Sequence, residues 1–157
     1  MMNRLNRMGQ LEHIAPAWWA LRIGLGGAAF LAGLDKFFNL LANWPQYLNP
    51  MVERMLPVSG VTFMHGVGVI EMIVGLAVLT AFTRIGSYVA MLWLLAIAGN
   101  LLMAGFYDVA VRDVEMAIAA FTLARLTEVR ESVAVARPAA MDERLGVERR
   151  RATAEGK

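Results

Sequence analysis

The chain has 157 residues, of which 58% are hydrophobic and 18% are charged, with a net charge of +2 at pH 7. Soluble domains are about 45–50% apolar and about 25% charged, so this composition predicts one membrane domain and no nucleic-acid partner. The sequence contains no cysteine, which excludes disulfides, thiolate metal sites, iron–sulfur clusters and a thiol nucleophile from this chain.

The first apolar stretch follows an N-terminal segment, residues 1–15, and predicts a membrane span over residues 16–41. This stretch is too long for the apolar region of a signal peptide, and no small-residue cleavage site follows it, so we expect it to be retained. Two neighbouring stripes of small residues run along it, one through Gly24 and Ala28 and one through Gly26 and Gly33. Both stripes are expected to face other helices, because small residues let backbones approach closely in lipid.

A longer connection, Asn43–Gly60, contains three prolines and follows the first span. Pro50–Leu56 is predicted to form one short helix with Pro50 in its first turn. Trp44 and Tyr47 in this connection are typical of the aromatic belt at a membrane interface.

Three further spans are predicted over residues 62–82, 85–107 and 109–126. The segment Ile85–Tyr107 carries no charged residue and is the strongest of them. Only Thr83 and Arg84 separate the second and third spans, which predicts an antiparallel hairpin. The fourth span carries charged residues in its first turns, so we expect it to insert into the membrane only when it can pack against the neighbouring spans. The expected fold is all-α, an integral membrane four-helix bundle in the lipid bilayer.

Residues 127–157 form a charged tail that we expect to be partly helical or disordered. Four spans place both ends of the chain on one side of the membrane. The Lys and Arg residues on that side are Arg4, Arg7, Arg84, Arg125, Arg130, Arg137, Arg144, Arg149, Arg150, Arg151 and Lys157. They outnumber those near the other side, so the positive-inside rule predicts that both termini are cytoplasmic.

Glu71 is the charged residue predicted to lie deepest in a span, near the bilayer midplane. A charge there costs at least ~2.5–3.5 kcal/mol, so the carboxyl either carries a proton or faces a cation. Lys36, Arg112 and Arg22 are the candidate cations. Two interpretations stay open, a proton or ligand site and a structural polar tie between helices.

The other candidate ligand- or proton-site residues share the outer half of the predicted bundle. They are Asp35, Lys36, His65, Asn100, Asp108, Arg112 and Asp113. If the Asn43–Gly60 connection folds over them, they form a polar pocket open to the outer face; otherwise they are helix-end charges that fix topology.

Three expectations concern individual members of this set. Asp108 and Arg112 have the i, i+4 spacing of an ion pair. Asn100 is expected to donate a hydrogen bond between helices. A single histidine in the membrane region predicts no metal site, and no residue is assigned a catalytic role.

Three short elements resemble the DoxX-like family of bacterial four-helix membrane proteins. Gly33–Phe37 resembles its Gly-x-x-Lys element, Glu71–Leu79 is similar to its Glu-x-x-x-Gly helix, and Arg112-Asp113 resembles its Arg-Asp element. The resemblance spans about Ala17–Leu126. It implies a multi-pass bacterial inner-membrane protein linked to quinone- or sulfur-linked redox systems, with a bound quinone and a soluble or membrane redox partner.

Three functions therefore remain open. The first is a membrane subunit or anchor of a redox system, in which Lys36, His65 or Arg112 bonds a quinone carbonyl and Glu71 or Asp35 relays protons. The second is a small-solute or proton-coupled transporter, which would need to form a homo-oligomer because four helices are few for alternating access. The third is a scaffold or assembly factor without catalysis.

Overall fold

The computed structural model describes the backbone of residues 2–155 and the side chains of residues 14–134. All regular structure in that part of the chain is helical, which confirms the all-α class. The helices are α1 (Met2–Asp35), α2 (Pro50–Met55), α3 (Gly60–Leu79), α4 (Thr83–Ala104) and α5 (Tyr107–Glu155), with a 3-10 turn at Trp44–Tyr47.

Three segments are long and apolar enough to cross a membrane, and they correspond to the first three predicted spans. They are Ile14–Asp35 in α1, Gly60–Leu79, which is all of α3, and Thr83–Ala104, which is all of α4. The predicted fourth span, residues 109–126, lies within α5 and is not among these three. Its first turns carry Arg112, Asp113 and Glu115, which lower its hydropathy.

α1 ends at Asp35, whereas the sequence predicted a span that continued to about residue 41. The Asp35 carboxylate accepts hydrogen bonds from the backbone N–H groups of Leu40 and Leu41, both at 3.0 Å. Asn39 adopts a left-handed conformation, with φ at 53°. The Asp35 hydrogen bonds and the left-handed Asn39 direct the backbone away from the helix axis. The end of the apolar stretch is therefore a non-helical turn and does not continue α1.

α1 packs mainly on α3, and α4 packs mainly on α5. Two glycine pairs let the α1 and α3 backbones touch. A Cβ atom added to Gly33 would lie 2.5 Å from the Gly68 carbonyl oxygen, and one added to Gly75 would lie 2.7 Å from the Gly26 oxygen. The stripe of α1 through Gly26 and Gly33 therefore faces another helix, as the sequence predicted.

The second small-residue stripe of α1, which ends at Asp35, does not face another helix of this chain along most of its length. Gly24, Ala28 and Leu31 are exposed, and a Cβ atom added to Gly24 would meet nothing within 4 Å. The expectation that both stripes face the bundle is wrong for these three residues, because the close contact with α3 turns that side of α1 outward, whereas Asp35 at the end of the stripe is buried.

Apart from Trp18, the core of the molecule is made from small and medium-sized apolar side chains, among them Val78, Ala120 and Leu123. Large apolar side chains lie instead on the outside of the helices, including Ile23 on α1, Ile73 on α3 and Leu92 on α4. This distribution suits a molecule whose surroundings are as apolar as its core.

The connections follow the predicted boundaries closely. The short helix predicted over Pro50–Leu56 is α2, and the Asn49 side chain accepts a hydrogen bond from Met51 N at its start. α3 and α4 are joined by residues 80–82 and are in contact, as expected for a hairpin. Gly105 ends α4 in the left-handed conformation, with φ at 86°.

α5 continues beyond residue 126 as an unbroken helix to Glu155, and α1 includes nearly all of the predicted N-terminal segment. The polar tail expected from residue 127 is therefore helical along its described backbone. Its basic triplet, Arg149–Arg151, lies outside the residues whose side chains are described.

Candidate functional site

Lys36 and Glu71 form a buried ion pair between the end of α1 and the middle of α3. Lys36 Nζ lies 2.5 Å from Glu71 Oε2, and the two side chains are only 4% and 10% exposed. The Gly33–Gly68 contact lies directly beside them, since a Cβ atom added to Gly68 would be 3.1 Å from the Lys36 Cβ. The close approach of the two backbones therefore brings the ammonium to the carboxylate.

Asp113 of α5 brings a second carboxylate to this ion pair. Its side chain is buried, attracted by the Lys36 ammonium and repelled by the Glu71 carboxylate. Its nearest cation is Arg112, whose Nε lies 3.7 Å from Asp113 Oδ1 but whose side chain is 63% exposed. One buried ammonium thus faces two buried carboxylates, and we call Lys36, Glu71 and Asp113 the charge cluster.

Trp44 covers the Lys36 side of the charge cluster. Lys36 Nζ lies 3.8 Å from the centre of the Trp44 ring, within range of a cation–π interaction. The Trp44 indole Nε1 donates a hydrogen bond of 2.8 Å to Asp35 Oδ2. Asp35 therefore holds in place both the turn after α1 and the Trp44 indole, and its role as a proton relay stays a prediction.

Trp93 of α4 lies on the Glu71 side of the cluster. Its buried indole N–H lies close to the Glu71 carboxylate. No oxygen among the described residues accepts a well-directed hydrogen bond from it. A buried donor without an acceptor is costly, so this N–H is a ready partner for a bound water or a ligand carbonyl.

Asn100 and His65 lie outside the charge cluster. The Asn100 side chain accepts a hydrogen bond from Asn49 N at 3.1 Å and donates one of 2.7 Å to the Tyr47 carbonyl oxygen. It therefore ties α4 to the connection before α2, rather than to another spanning helix as expected. The half-buried His65 ring stacks on Phe37, with ring centres 4.8 Å apart.

The predicted ion pair between Asp108 and Arg112 does not form. Both side chains are exposed, and Arg112 lies instead beside Asp113. The i, i+4 spacing permits a contact but does not require one, since exposed pairs gain little free energy.

Arg22, the third cation considered for Glu71, also lies elsewhere. Its guanidinium donates hydrogen bonds to the carbonyl oxygens of Val78, Leu79 and Thr80 at the end of α3. Among the candidate cations, Lys36 is therefore the one paired with Glu71.

Sequence reasoning assigned neither indole to this site. Trp44 was interpreted as an interfacial aromatic residue and Trp93 as part of an apolar span. One signal was present, because Trp93 precedes Asn100 by two helical turns and therefore shares a face with the only amide of α4.

In the described part of the chain, no group of three or more His, Cys, Asp or Glu side chains is arranged to hold a metal ion. Comparison of the chain with protein-family models, with curated proteins and with solved structures gave no match.

Proposed function

We propose that the protein is a four-span subunit of a quinone-linked redox system in a bacterial inner membrane, with both termini cytoplasmic. In this proposal the charge cluster exchanges a proton with a bound quinone. The observation that carries the proposal is the placement of two carboxylates and one ammonium in the interior of a largely apolar bundle.

A fourth span formed by the first part of α5 is supported by the two faces of that helix. Val111, Val114, Ile118 and Phe121 are exposed and lie on one side, as lipid-facing residues would. The opposite side buries Asp113 and several small residues. The exposed charges of Arg112 and Glu115 lie in the first turns of the helix, near the interface that a long side chain can reach.

The charge count of the cluster explains why it would bind a proton. The two carboxylates face one buried ammonium, and the Arg112 guanidinium beside Asp113 is 63% exposed, so it compensates the second carboxylate only in part. A partly compensated negative charge in a region of low dielectric is expensive. When one of the two carboxylates takes up a proton, the negative charge of the cluster is removed, and release of that proton restores it. Carboxyl groups whose protonated and ionised forms are close in free energy are suited to proton transfer.

A quinone is the partner that this geometry suits. Its reduction to the quinol consumes two electrons and two protons, so a protein that holds it needs proton donors beside the carbonyl oxygens. The Lys36 ammonium and the carboxyl groups of the cluster can supply such protons, and the Trp93 N–H can donate a hydrogen bond to a carbonyl oxygen. The electrons would come from a redox partner protein. The similarity of Gly33–Phe37 and Glu71–Leu79 to the DoxX-like elements supports the same assignment.

The test is binding of decylubiquinone to the purified full chain in nanodiscs, followed by quenching of tryptophan fluorescence at several pH values. We expect saturable binding whose affinity changes with pH. Glu71→Gln and Asp113→Asn should each remove most of that pH dependence, because each substitution replaces a titrating carboxyl with an amide of the same shape.

The control is Glu131→Gln, which makes the same chemical change at an exposed ion pair with Arg84. It should leave both the affinity and its pH dependence unchanged. Binding that is unaffected by Glu71→Gln and Asp113→Asn would reject the charge cluster as a quinone site.

The same cluster favours a second candidate, proton-coupled transport. A buried carboxylate at a glycine-lined helix contact is the type of site that such transporters use. The discriminating measurement is proton flux in liposomes that contain the protein and a trapped pH-sensitive dye. Proton flux that occurs without quinone and is lost in Glu71→Gln would favour transport over the redox function.

A further inference from the structure

An open pocket of about 320 Å³ lies at the other end of the bundle from the charge cluster. It is formed by the early part of α1, the turn after α3, and α5. Its lining includes Trp18, Arg22, Thr83, Arg130 and Glu131, and we call it the guanidinium pocket. Lys36 lies fourteen residues beyond Arg22 along α1, or about 21 Å at the rise of an α-helix, so the two sites are separate.

Arg22 uses only part of its guanidinium to cap α3. Nε donates to the Val78 carbonyl oxygen at 3.1 Å, and Nη2 donates to those of Leu79 and Thr80 at 2.8 and 2.5 Å. These are the oxygens left without helical partners at a C-terminus. No described residue accepts a hydrogen bond from Nη1, which leaves this group for a ligand.

Arg130 brings a second guanidinium to the same place. Its central carbon lies 4.4 Å from the centre of the Trp18 ring, and that of Arg22 lies 4.8 Å from it. Arg130 forms no hydrogen bond or ion pair with another residue whose side chain is described, and the two guanidiniums repel each other. Like charges held together, with no carboxylate among the described side chains paired to either, indicate a site that an anion would stabilise.

The one carboxylate in the lining, that of Glu131, is already paired. Its Oε2 accepts a hydrogen bond of 2.9 Å from Arg84. Glu131 and Arg84 therefore cancel in charge, and the guanidinium pocket keeps a positive surplus from Arg22 and Arg130.

Trp18 is held in place beside the two cations. Its Nε1 donates a hydrogen bond of 2.8 Å to Thr127 Oγ1, and that hydroxyl donates to the Leu123 carbonyl oxygen at 2.8 Å. The buried ring thus forms a fixed surface against which both guanidiniums rest. A site assembled in advance in this way loses little entropy when a ligand binds.

We propose that the guanidinium pocket binds a phosphate group, and that its occupant is the phosphodiester of an anionic phospholipid. Arginine forks match phosphate oxygens in geometry as well as charge. The candidate span of α3 ends at Leu79 and that of α4 begins at Thr83, and the pocket lining includes residues between them, so the pocket lies where headgroups meet the apolar region. Free phosphate has the same chemistry and is the other possible source.

The experiment uses the full chain in dodecyl maltoside, titrated with dioleoyl phosphatidylglycerol and, separately, dioleoyl phosphatidylcholine. Bound lipid is counted by native mass spectrometry. We expect phosphatidylglycerol to bind more tightly than phosphatidylcholine. Arg130→Gln should weaken phosphatidylglycerol binding about tenfold, in line with the loss of a charge-assisted contact.

Arg54→Gln is the matched control, because it removes the same charge from an exposed position on α2, outside the pocket. The affinity of this variant for phosphatidylglycerol should equal that of the unmodified chain. Equal weakening by both substitutions, or equal binding of the two lipids, would overturn the proposal, since either result would mean that the pocket does not select the anion.

Two further measurements protect this test. Arg130→Lys keeps the charge but loses the planar fork, so its affinity for phosphatidylglycerol should lie between those of the unmodified chain and Arg130→Gln. Circular dichroism checks that each variant is folded. Displacement of phosphatidylglycerol by millimolar inorganic phosphate, with the same dependence on Arg130, would support the phosphate site and overturn the lipid as its occupant.

Discussion

At the scale of single residues, the buried Lys36–Glu71 pair should contribute far more to stability than an exposed pair. Lys36→Met leaves two buried carboxylates without their ammonium, so we expect a loss of about 3 kcal/mol in the free energy of unfolding. The double substitution Lys36→Met with Glu71→Gln should recover part of that loss. Unfolding by sodium dodecyl sulfate, followed by circular dichroism, measures these differences.

Arg84→Met is the matched comparison, because Arg84 and Glu131 are 49% and 48% exposed. Exposed pairs contribute about 0–1 kcal/mol, so this substitution should change stability little. Equal losses from Lys36→Met and Arg84→Met would contradict the assignment of the buried pair as an energetic centre of the fold.

The charged residues of the cluster could be predicted from the sequence, but the side chains with which they form ion pairs and hydrogen bonds could not. Glu71, Lys36 and Asp113 were identifiable because a charge in an apolar stretch needs a reason to be there. Asp35 and Trp44 were not, since their hydrogen bond depends on the path of a turn that hydropathy does not encode. Trp93 was missed because its role depends on the rotation of α4 about its own axis.

At the scale of elements, the contact of α1 with α3 depends on glycine at particular positions. Gly33→Ala would place a Cβ atom 2.5 Å from the Gly68 carbonyl oxygen and 2.9 Å from Met72 N, both backbone atoms that cannot move aside alone. We expect the helices to separate and stability to fall by about 1–3 kcal/mol, as in other overpacked interfaces.

Gly24→Ala makes the same substitution on the same helix at a position with open space. It should leave stability unchanged or raise it slightly, because alanine favours the helix over glycine by up to about 1 kcal/mol. Thermal unfolding in detergent compares the two variants. Similar melting temperatures for Gly33→Ala and Gly24→Ala would show that the glycine contact does not hold the helices together.

Helix existence was easier to predict than helix limits or orientation. The apolar runs located the three candidate spans, because a membrane requires length and hydropathy above all. The choice between the two stripes of α1 was not available from spacing, since both are equally rich in small residues. The end of α1 depends on the hydrogen bonds of the Asp35 side chain. The continuation of α5 to Glu155 depends on helix-forming residues, whereas the polar composition of this segment indicated a tail.

At the scale of the whole molecule, the number of crossings decides on which side each part of the chain lies. The absence of cysteine makes this measurable, because a single introduced cysteine is the only reactive thiol in the chain. Three exposed positions suit the purpose, Val58 before α3, Ala81 after α3, and Ala134 in α5 beyond the predicted fourth span. Each is replaced by cysteine and treated in intact cells with a membrane-impermeant maleimide.

If α5 crosses the membrane, Ala81→Cys and Ala134→Cys lie on the same side and both are protected, while Val58→Cys is labelled. If α5 remains on the outer surface, Ala134→Cys is labelled together with Val58→Cys. The buried face of α5 favours the first result, since Asp113 is enclosed by the other helices while Ile118 and Phe121 are exposed on the outside. A helix lying on the surface would place those apolar side chains in water and would draw Asp113 away from Lys36. Labelling of Ala134→Cys would therefore remove both the four-span topology and the carboxylate that unbalances the charge cluster.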